Sequence, residues 1–234
     1  MKKTTLILSC EHASAEIPVH FQHLFNNPAT TRNPFDHFDP FAKELTLTLA
    51  AHMNCPYVLG NISRMLVDLN KPLAQAHCFH ATHRAALSNA DKQLLLEQYV
   101  YPYRQQIETQ IEQCIQQNQQ VLHLSIHSFS PQERGIEHHA AIGLLYDSQR
   151  SGEKEVLRIW HELLLKRTPY TIRINYPRSG RADNYTSDLR KRFTQEDYLG
   201  IELEVNAQVL ADKDTVAAVH DDLKSSIYSL LELI

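Results

Sequence analysis

The stretch Leu6-Ile7-Leu8-Ser9-Cys10-Glu11-His12 constrains this chain more than any other. An apolar run suited to a buried strand ends abruptly in ionisable groups. Open α/β sheets carry chemistry this way, to the crevice beyond the carboxyl ends of their strands. Two later segments close similarly. Val121-Leu122-His123-Leu124-Ser125-Ile126 leads to His127, and Leu199-Gly200-Ile201-Glu202-Leu203-Glu204-Val205 carries two carboxylates at period-two spacing. That spacing puts Glu202 and Glu204 on one face of an otherwise apolar strand. Paired acids facing inward are costly unless they meet a metal, a base or a cation. Three strand ends converging on His, His and Glu predict a metal-dependent hydrolase.

The remaining elements follow from apolar spacing and end signals. Strands are expected at Thr4–Cys10, Pro56–Leu59, Met65–Leu69, Val121–Ile126, Ala140–Tyr146, Tyr170–Ile174 and Tyr198–Val205. Helices are expected from Asp39-Pro40 to Met53, from Ser88 to Gln119 with a bend or break near Pro102, and at Glu153–Lys166, Tyr185–Arg192 and Lys213–Leu233. Asn26 to Pro34 reads as a loop rich in Asn, Pro and Thr. The alternation predicts an α/β three-layer sandwich with a central mixed, largely parallel sheet flanked by helices. No repeat and no Gly/Ser/Pro linker divides the chain, so residues 1–234 are expected to form one domain.

Composition excludes several classes. A net charge of -4 provides no electrostatic footprint for nucleic acid. No stretch is long and apolar enough to span a membrane. The four cysteines, Cys10, Cys55, Cys78 and Cys114, form no CxxC pair, which argues against a disulfide framework or zinc finger and fits a reducing, cytoplasmic compartment. Met1-Lys2-Lys3 ahead of Leu6–Ser9 faintly imitates an export signal, but the apolar run is too short.

His12 and His127 are the candidate metal ligands, because neutral imidazole suits zinc and a catalytic zinc keeps three protein ligands with one open position. Asp39 is the first choice to complete the set, with Asp36, Glu11 and Glu16 as alternatives; Asp39 reads equally well as a helix cap. His123, four residues before His127 on the same strand face, reads as a supporting or core residue. In Ser63-Arg64-Met65-Leu66-Val67-Asp68-Leu69-Asn70-Lys71, Arg64 could fork onto a substrate carboxylate, with Asn70 and Lys71 completing the grip, or could pair with Asp68. The loop Asn175-Tyr176-Pro177-Arg178-Ser179-Gly180-Arg181 reads either as a substrate loop, with Asn175 and Arg178 as its contacts, or as a solvated turn. Two rival readings are a cysteine hydrolase using Cys10 and a non-catalytic protein that binds zinc or an acidic metabolite.

Taken in order, Ser9-Cys10-Glu11-His12-Ala13-Ser14 with Ile17-Pro18, Asp39-Pro40, Ser63–Asn70, His127-Ser128-Phe129-Ser130-Pro131, Asn175-Tyr176-Pro177, Leu189-Arg190-Lys191-Arg192-Phe193 and Gly200–Asn206 resemble the N-formylglutamate amidohydrolase family. The resemblance implies a zinc-carboxypeptidase-like fold with one zinc at the strand ends, held by His12, His127 and a carboxylate, here Asp39. It implies Glu204 as general base, and a small acidic N-acyl amino acid such as N-formylglutamate as substrate. Glu202 stands where relatives often carry Gln. Three departures stand out: Ala15, not Glu, lies three residues after His12; Lys71 replaces an Arg common after the Asp-Leu-Asn motif; and Arg178 replaces an aromatic residue common in the Asn-Tyr-Pro loop.

Overall fold

In the computed structural model, residues 2–26, 33–73, 77–133 and 135–234 are described. Of the loop expected over Asn26–Pro34, residues 27–32 lie outside them. In chain order come β1 (Lys3–Cys10), a 3-10 segment (Val19–Phe25), α1 (Pro34–His37), α2 (Ala42–Met53), β2 (Tyr57–Leu59), α3 (Ala81–Arg84), α4 (Asn89–Leu95) and α5 (Tyr101–Gln116). There follow β3 (Gln119–Phe129), a small ribbon of β4 (Gln132–Glu133) and β5 (Ile136–Glu137), β6 (Ile142–Leu145), α6 (Ser151–Leu165) and β7 (Ile172–Ile174). The chain closes with α7 (Tyr185–Arg192), β8 (Tyr198–Asn206), α8 (Ala207–Ala211) and α9 (Val216–Leu233).

Six strands form one sheet in the order β2-β1-β3-β8-β6-β7. All neighbours are parallel except β8 and β6, so the sheet is mixed and largely parallel, as the alternation of elements predicts. Period-two alternation then divides the central strands into two unlike faces. Leu6, Leu8, Leu122, Leu124, Ile126, Leu199, Ile201, Leu203 and Val205 point to one side, where Leu45 and Leu49 of α2, Trp160 of α6 and Leu223 and Ile227 of α9 cover them. On the other side Ile7, Val121 and Tyr198 pack with Ile107 and Ile111 of α5 and Leu189 of α7. Further along the same strands that second face turns polar. Ser9 pairs in register with Ser125, Ser125 with Glu202, and His127 with Glu204.

One expected element is absent. Met65–Leu69 is not a strand: it makes a single bridge, Val67 to Phe79, inside a series of turns. Its apolar residues are buried, but Asp68 folds the chain back by accepting from the Asn70 N–H at 2.9 Å. The interruption expected near Pro102 in the Ser88–Gln119 stretch falls just before it, where α4 and α5 are joined by a π turn at Leu96–Val100. Ser88 caps α4 with a capping box through Asp91. Pro102 lacks an N–H and its ring conflicts with the carbonyl four residues back, so the wide turn absorbs the mismatch. The closing helix expected over Lys213–Leu233 is α9, which begins at Val216, and a separate short helix, α8, precedes it. Among the described residues no helix is long and apolar enough to cross a membrane.

Gly143 of β6 sets how closely the loop after β7 approaches the polar face. A Cβ there would lie 1.9 Å from the Tyr176 carbonyl oxygen and 3.3 Å from the Glu204 Cβ. Gly143→Ala must therefore displace backbone, an overpacking cost of about 1–3 kcal/mol. At about 2–4 °C per kcal/mol for a chain of this size, a thermal melt should fall by several degrees. An unchanged melt would mean that the loop yields freely.

Candidate active site

β3 runs on through His127 to Phe129, because its ladder with β8 continues to Asn206; His127 thus sits within the strand and not beyond it. His12 lies two residues past the end of β1. Its carbonyl accepts from the Asp39 N–H at 2.9 Å, which draws the segment before α2 against the sheet. The cap of α2 is Phe41, at φ 67 and with no side-chain bond. Asp39 is therefore not a helix cap. A bulky residue in the left-handed region is strained, and here it lets the chain present the Asp39 side chain inward before the helix begins.

The three side chains meet at one carboxylate. Asp39 Oδ2 lies 2.7 Å from His127 Nδ1 and 3.2 Å from His12 Nδ1, while Oδ1 accepts from Arg64 Nη1 at 2.9 Å. All three residues are buried. Each offers one ligand atom, and those atoms lie within 4.8 Å of one another, a geometry that could hold a metal ion. The outer nitrogens are also held: His12 Nε2 is 2.7 Å from Asp68 Oδ1, and His127 Nε2 is 3.1 Å from Glu11 Oε2. Carboxylates on the far nitrogens of metal-binding histidines orient the rings and raise their basicity. Burial alone would raise the Asp39 carboxyl, but the charges of His12 and Arg64 outweigh it and hold it well below the usual carboxylate range. Burial would likewise depress His127, yet its bonds to Asp39 and Glu11 raise it well above the ordinary imidazole value.

Of the alternative carboxylates, Glu11 serves the opposite side of His127, while Asp36 and Glu16 are exposed and outside the cluster. Glu204 is buried beside His127, and among the described residues its Oε2 has no hydrogen-bond partner. Glu202, one register step deeper, accepts from Asn184 Nδ2 at 2.5 Å. Burial pushes its carboxyl up to about 6. A cavity of about 370 Å³ opens over this face, its wall including His12, Arg64, Asn70, Lys71, Arg178 and Glu202. Asn175, expected as a substrate contact, is not among the lining residues. Its Oδ1 accepts from the Tyr146 and Gly180 N–H groups, both at 3.1 Å, so it braces the loop that carries Arg178. Arg64 is committed to Asp39 and the Phe35 carbonyl. Cys10 is fully buried, and burial together with the charges of Asp39 and Glu11 pushes its thiol well above its ordinary value. A nucleophilic cysteine needs the reverse.

Sequence reasoning passed over Asp68 as a support for His12, Ser125, and Asn184. Ser125 was discoverable, since it shares the period-two face of His123 and His127. Asn184 was not, being a helix cap whose amide reaches a strand distant in sequence.

In overall shape the chain is similar to a solved gene product of Agrobacterium tumefaciens, at 22% identity and a TM-score of 0.82, over 99% of this chain and 92% of that one. It is also similar to an N-formylglutamate amidohydrolase from Ralstonia eutropha JMP134, at 15% identity and a TM-score of 0.72, over 100% of this chain and 95% of that one. These likenesses establish the fold. No curated protein matches by sequence. Residues 4–211 match the N-formylglutamate amidohydrolase family, and the chain belongs to that family of hydrolases acting on amide C–N bonds.

Proposed function

We propose that the chain is a zinc-dependent amidohydrolase that removes the N-formyl or N-acyl group from a small acidic amino-acid derivative such as N-formylglutamate. His12, Asp39 and His127 would hold the zinc. The observation that carries this reading is the unpartnered, buried Glu204 Oε2 beside a cluster of two imidazoles and a carboxylate. A buried polar atom without a partner is costly in a folded protein, and a water or substrate atom reaching it from the cavity that His12 lines would satisfy it. The donor set, two nitrogens and an oxygen, is one that catalytic zinc uses.

Zinc so held would supply Lewis acidity and activate water near neutral pH. Glu204 takes the water's proton and returns it to the amine nitrogen as the C–N bond breaks. Arg178, whose guanidinium is held charged chiefly by the nearby Glu204 carboxylate, offsets the negative charge that develops on the attacked carbonyl oxygen. Lys71 and Asn70 on the cavity wall bind the substrate carboxylate and so fix the amide over Glu204. Arg64 holds Asp39 ionised in its place. Glu202 forms the floor, with Asn184 holding one oxygen and burial keeping part of its population protonated near neutral pH.

Metal analysis of the purified chain should find about one zinc per chain, lost in His12→Ala and in His127→Ala; no zinc after dialysis against the ion would sink the reading. Glu204→Gln should keep the zinc and lower turnover of N-formylglutamate by about 10²–10⁴-fold, the worth of a general base. Near-normal turnover would remove Glu204 from the role.

Glu202 also makes a stability prediction. Its folded carboxyl is raised from 4.5 to about 6 by burial, so the folded state favours the protonated form. Its ionisation cost is absent below the unfolded value, grows as pH rises, and is complete above pH 6 or so. A shift of that size is worth roughly 2 kcal/mol. In urea unfolding of chelated protein, Glu202→Gln should gain roughly that amount at pH 8 and only a small fraction of it at pH 4.5. An equal gain at both pH values would rule out burial of the charge as the cause.

A further inference from the structure

We propose that Glu11 is a positioning residue for the metal centre, whose carboxylate fixes His127 with its proton on Nε2 so that Nδ1 offers a lone pair to the ion. This inference rests on the reading that His12, Asp39 and His127 hold a metal.

Glu11 is buried, 1% exposed. Its Oε1 accepts from Ser9 Oγ at 2.7 Å and from Tyr103 Oη at 2.7 Å, and its Oε2 accepts from Ser125 Oγ at 2.6 Å. An ionised carboxylate can only accept, and has about four lone-pair sites. Three are taken by hydroxyls from β1, α5 and β3; the fourth faces His127 Nε2 at 3.1 Å. A lone pair on Nε2 would meet that oxygen repulsively, so a proton belongs on Nε2. Asp39 Oδ2, 2.7 Å from Nδ1, places one there by the same reasoning. It is this Nδ1 proton that an ion held by Asp39 and His127 would replace, leaving the Nε2 proton donated to Glu11. Asn70 Nδ2 lies 3.3 Å from the same nitrogen and would require the opposite tautomer. The shorter contact to a full charge prevails over the longer one from a neutral amide. The Ser125 oxygen, 3.0 Å from Nε2 with its own proton given to Glu11, accepts from the same N–H.

The polarity of the surrounding chain agrees. Because Ser9 gives its proton to Glu11, its oxygen accepts from His123 Nε2 at 2.8 Å, and His123 Nδ1 accepts from Tyr198 Oη at 2.7 Å. His123 is therefore neutral, consistent with burial drawing it down to about 4. Every proton in the row from Tyr198 to Glu11 points towards Glu11. The backbone is clamped as well, since a Cβ on Gly60 would lie 2.0 Å from the Glu11 carbonyl oxygen. Four hydrogen-bond contacts and a packed backbone leave the carboxylate one position, and through it His127 has one ring orientation.

The test is the zinc dissociation constant of Glu11→Gln by competition with a chromophoric chelator, alongside the visible spectrum of the cobalt-substituted protein. An amide at this position keeps the volume but can no longer accept all four contacts. The expected result is a dissociation constant about 10–100 times that of the wild type, the usual loss when a group supporting a metal ligand is removed, with an altered cobalt spectrum. Wild-type affinity and spectrum in folded Glu11→Gln would overturn the proposal. If Glu11→Gln does not fold, Tyr103→Phe takes its place: it deletes one of the hydroxyls that hold Glu11 while keeping the ring. A measurable rise in its dissociation constant supports the proposal and an unchanged one overturns it. A wild-type chain that binds no zinc would instead overturn the underlying metal reading.

Discussion

Everything at the polar end of this molecule depends on one shared anion. Asp39 receives His12, His127 and Arg64 in a space from which water is largely excluded. An ionised carboxylate so placed is intolerable alone and stable only with its partners. Its partners incur the same constraint and pass it outward: His12 to Asp68, His127 to Glu11, Glu11 to three hydroxyls. The polar face of the sheet is thus a sequence of obligatory compensations, each of which specifies a rotamer. The aliphatic face behind it supplies the burial that holds the strands in register against this demand.

Period-two spacing was the part of this arrangement most legible in the sequence. It put Glu202 and Glu204 on one face and, extended to His123 and His127, defines the same face on β3. Strand pairing supplied what spacing could not, by setting His127 opposite Glu204 and Ser125 opposite Glu202. Asp39 was ambiguous for a local reason: an Asp before a Pro and an apolar helical pattern has the same appearance whether its oxygen caps the helix or leaves it. The left-handed Phe41 decides between them, and nothing in the composition of a Phe announces a positive φ. Met65–Leu69 misled because burial and strand pattern coincide there, whereas the Asp68–Asn70 turn decides the backbone. The role of Glu11 was hidden by its distance in sequence from Tyr103 and Ser125, which only the folded sheet brings to it.

The loop from Asn175 to Asp183 obeys a different logic, that of a peripheral segment tied to the core at a few points. Arg190 of α7 is buried, pairs with the fully buried Glu153 at 2.9 Å, and donates to the carbonyls of Gly180 at 2.7 Å and Gly200 at 2.8 Å. One guanidinium therefore links the loop, the strand that carries both glutamates, and α6. Its planar fork suits three fixed acceptors in a way a lysine ammonium does not. Asn175 performs the matching task at the start of the loop, by accepting from Tyr146 and Gly180. Arg178 is presented between these two anchors.

This separation bears on how the family scaffold can change what it acts on. The proposed ligands and base stand on or beside β1, β3 and β8, where each side chain is fixed by buried partners and any substitution leaves another group unsatisfied. Lys71 and Arg178, two of the cavity residues that depart from the family pattern, are exposed, and among the described residues no side chain forms an ion pair with them. On the proposed reading, a change at Lys71 or Arg178 would alter how the cavity holds an anionic substrate without disturbing the compensations beneath it. On that reading, too, the groups within the sheet are fixed by electrostatic necessity, whereas the cavity's cations stand outside those compensations.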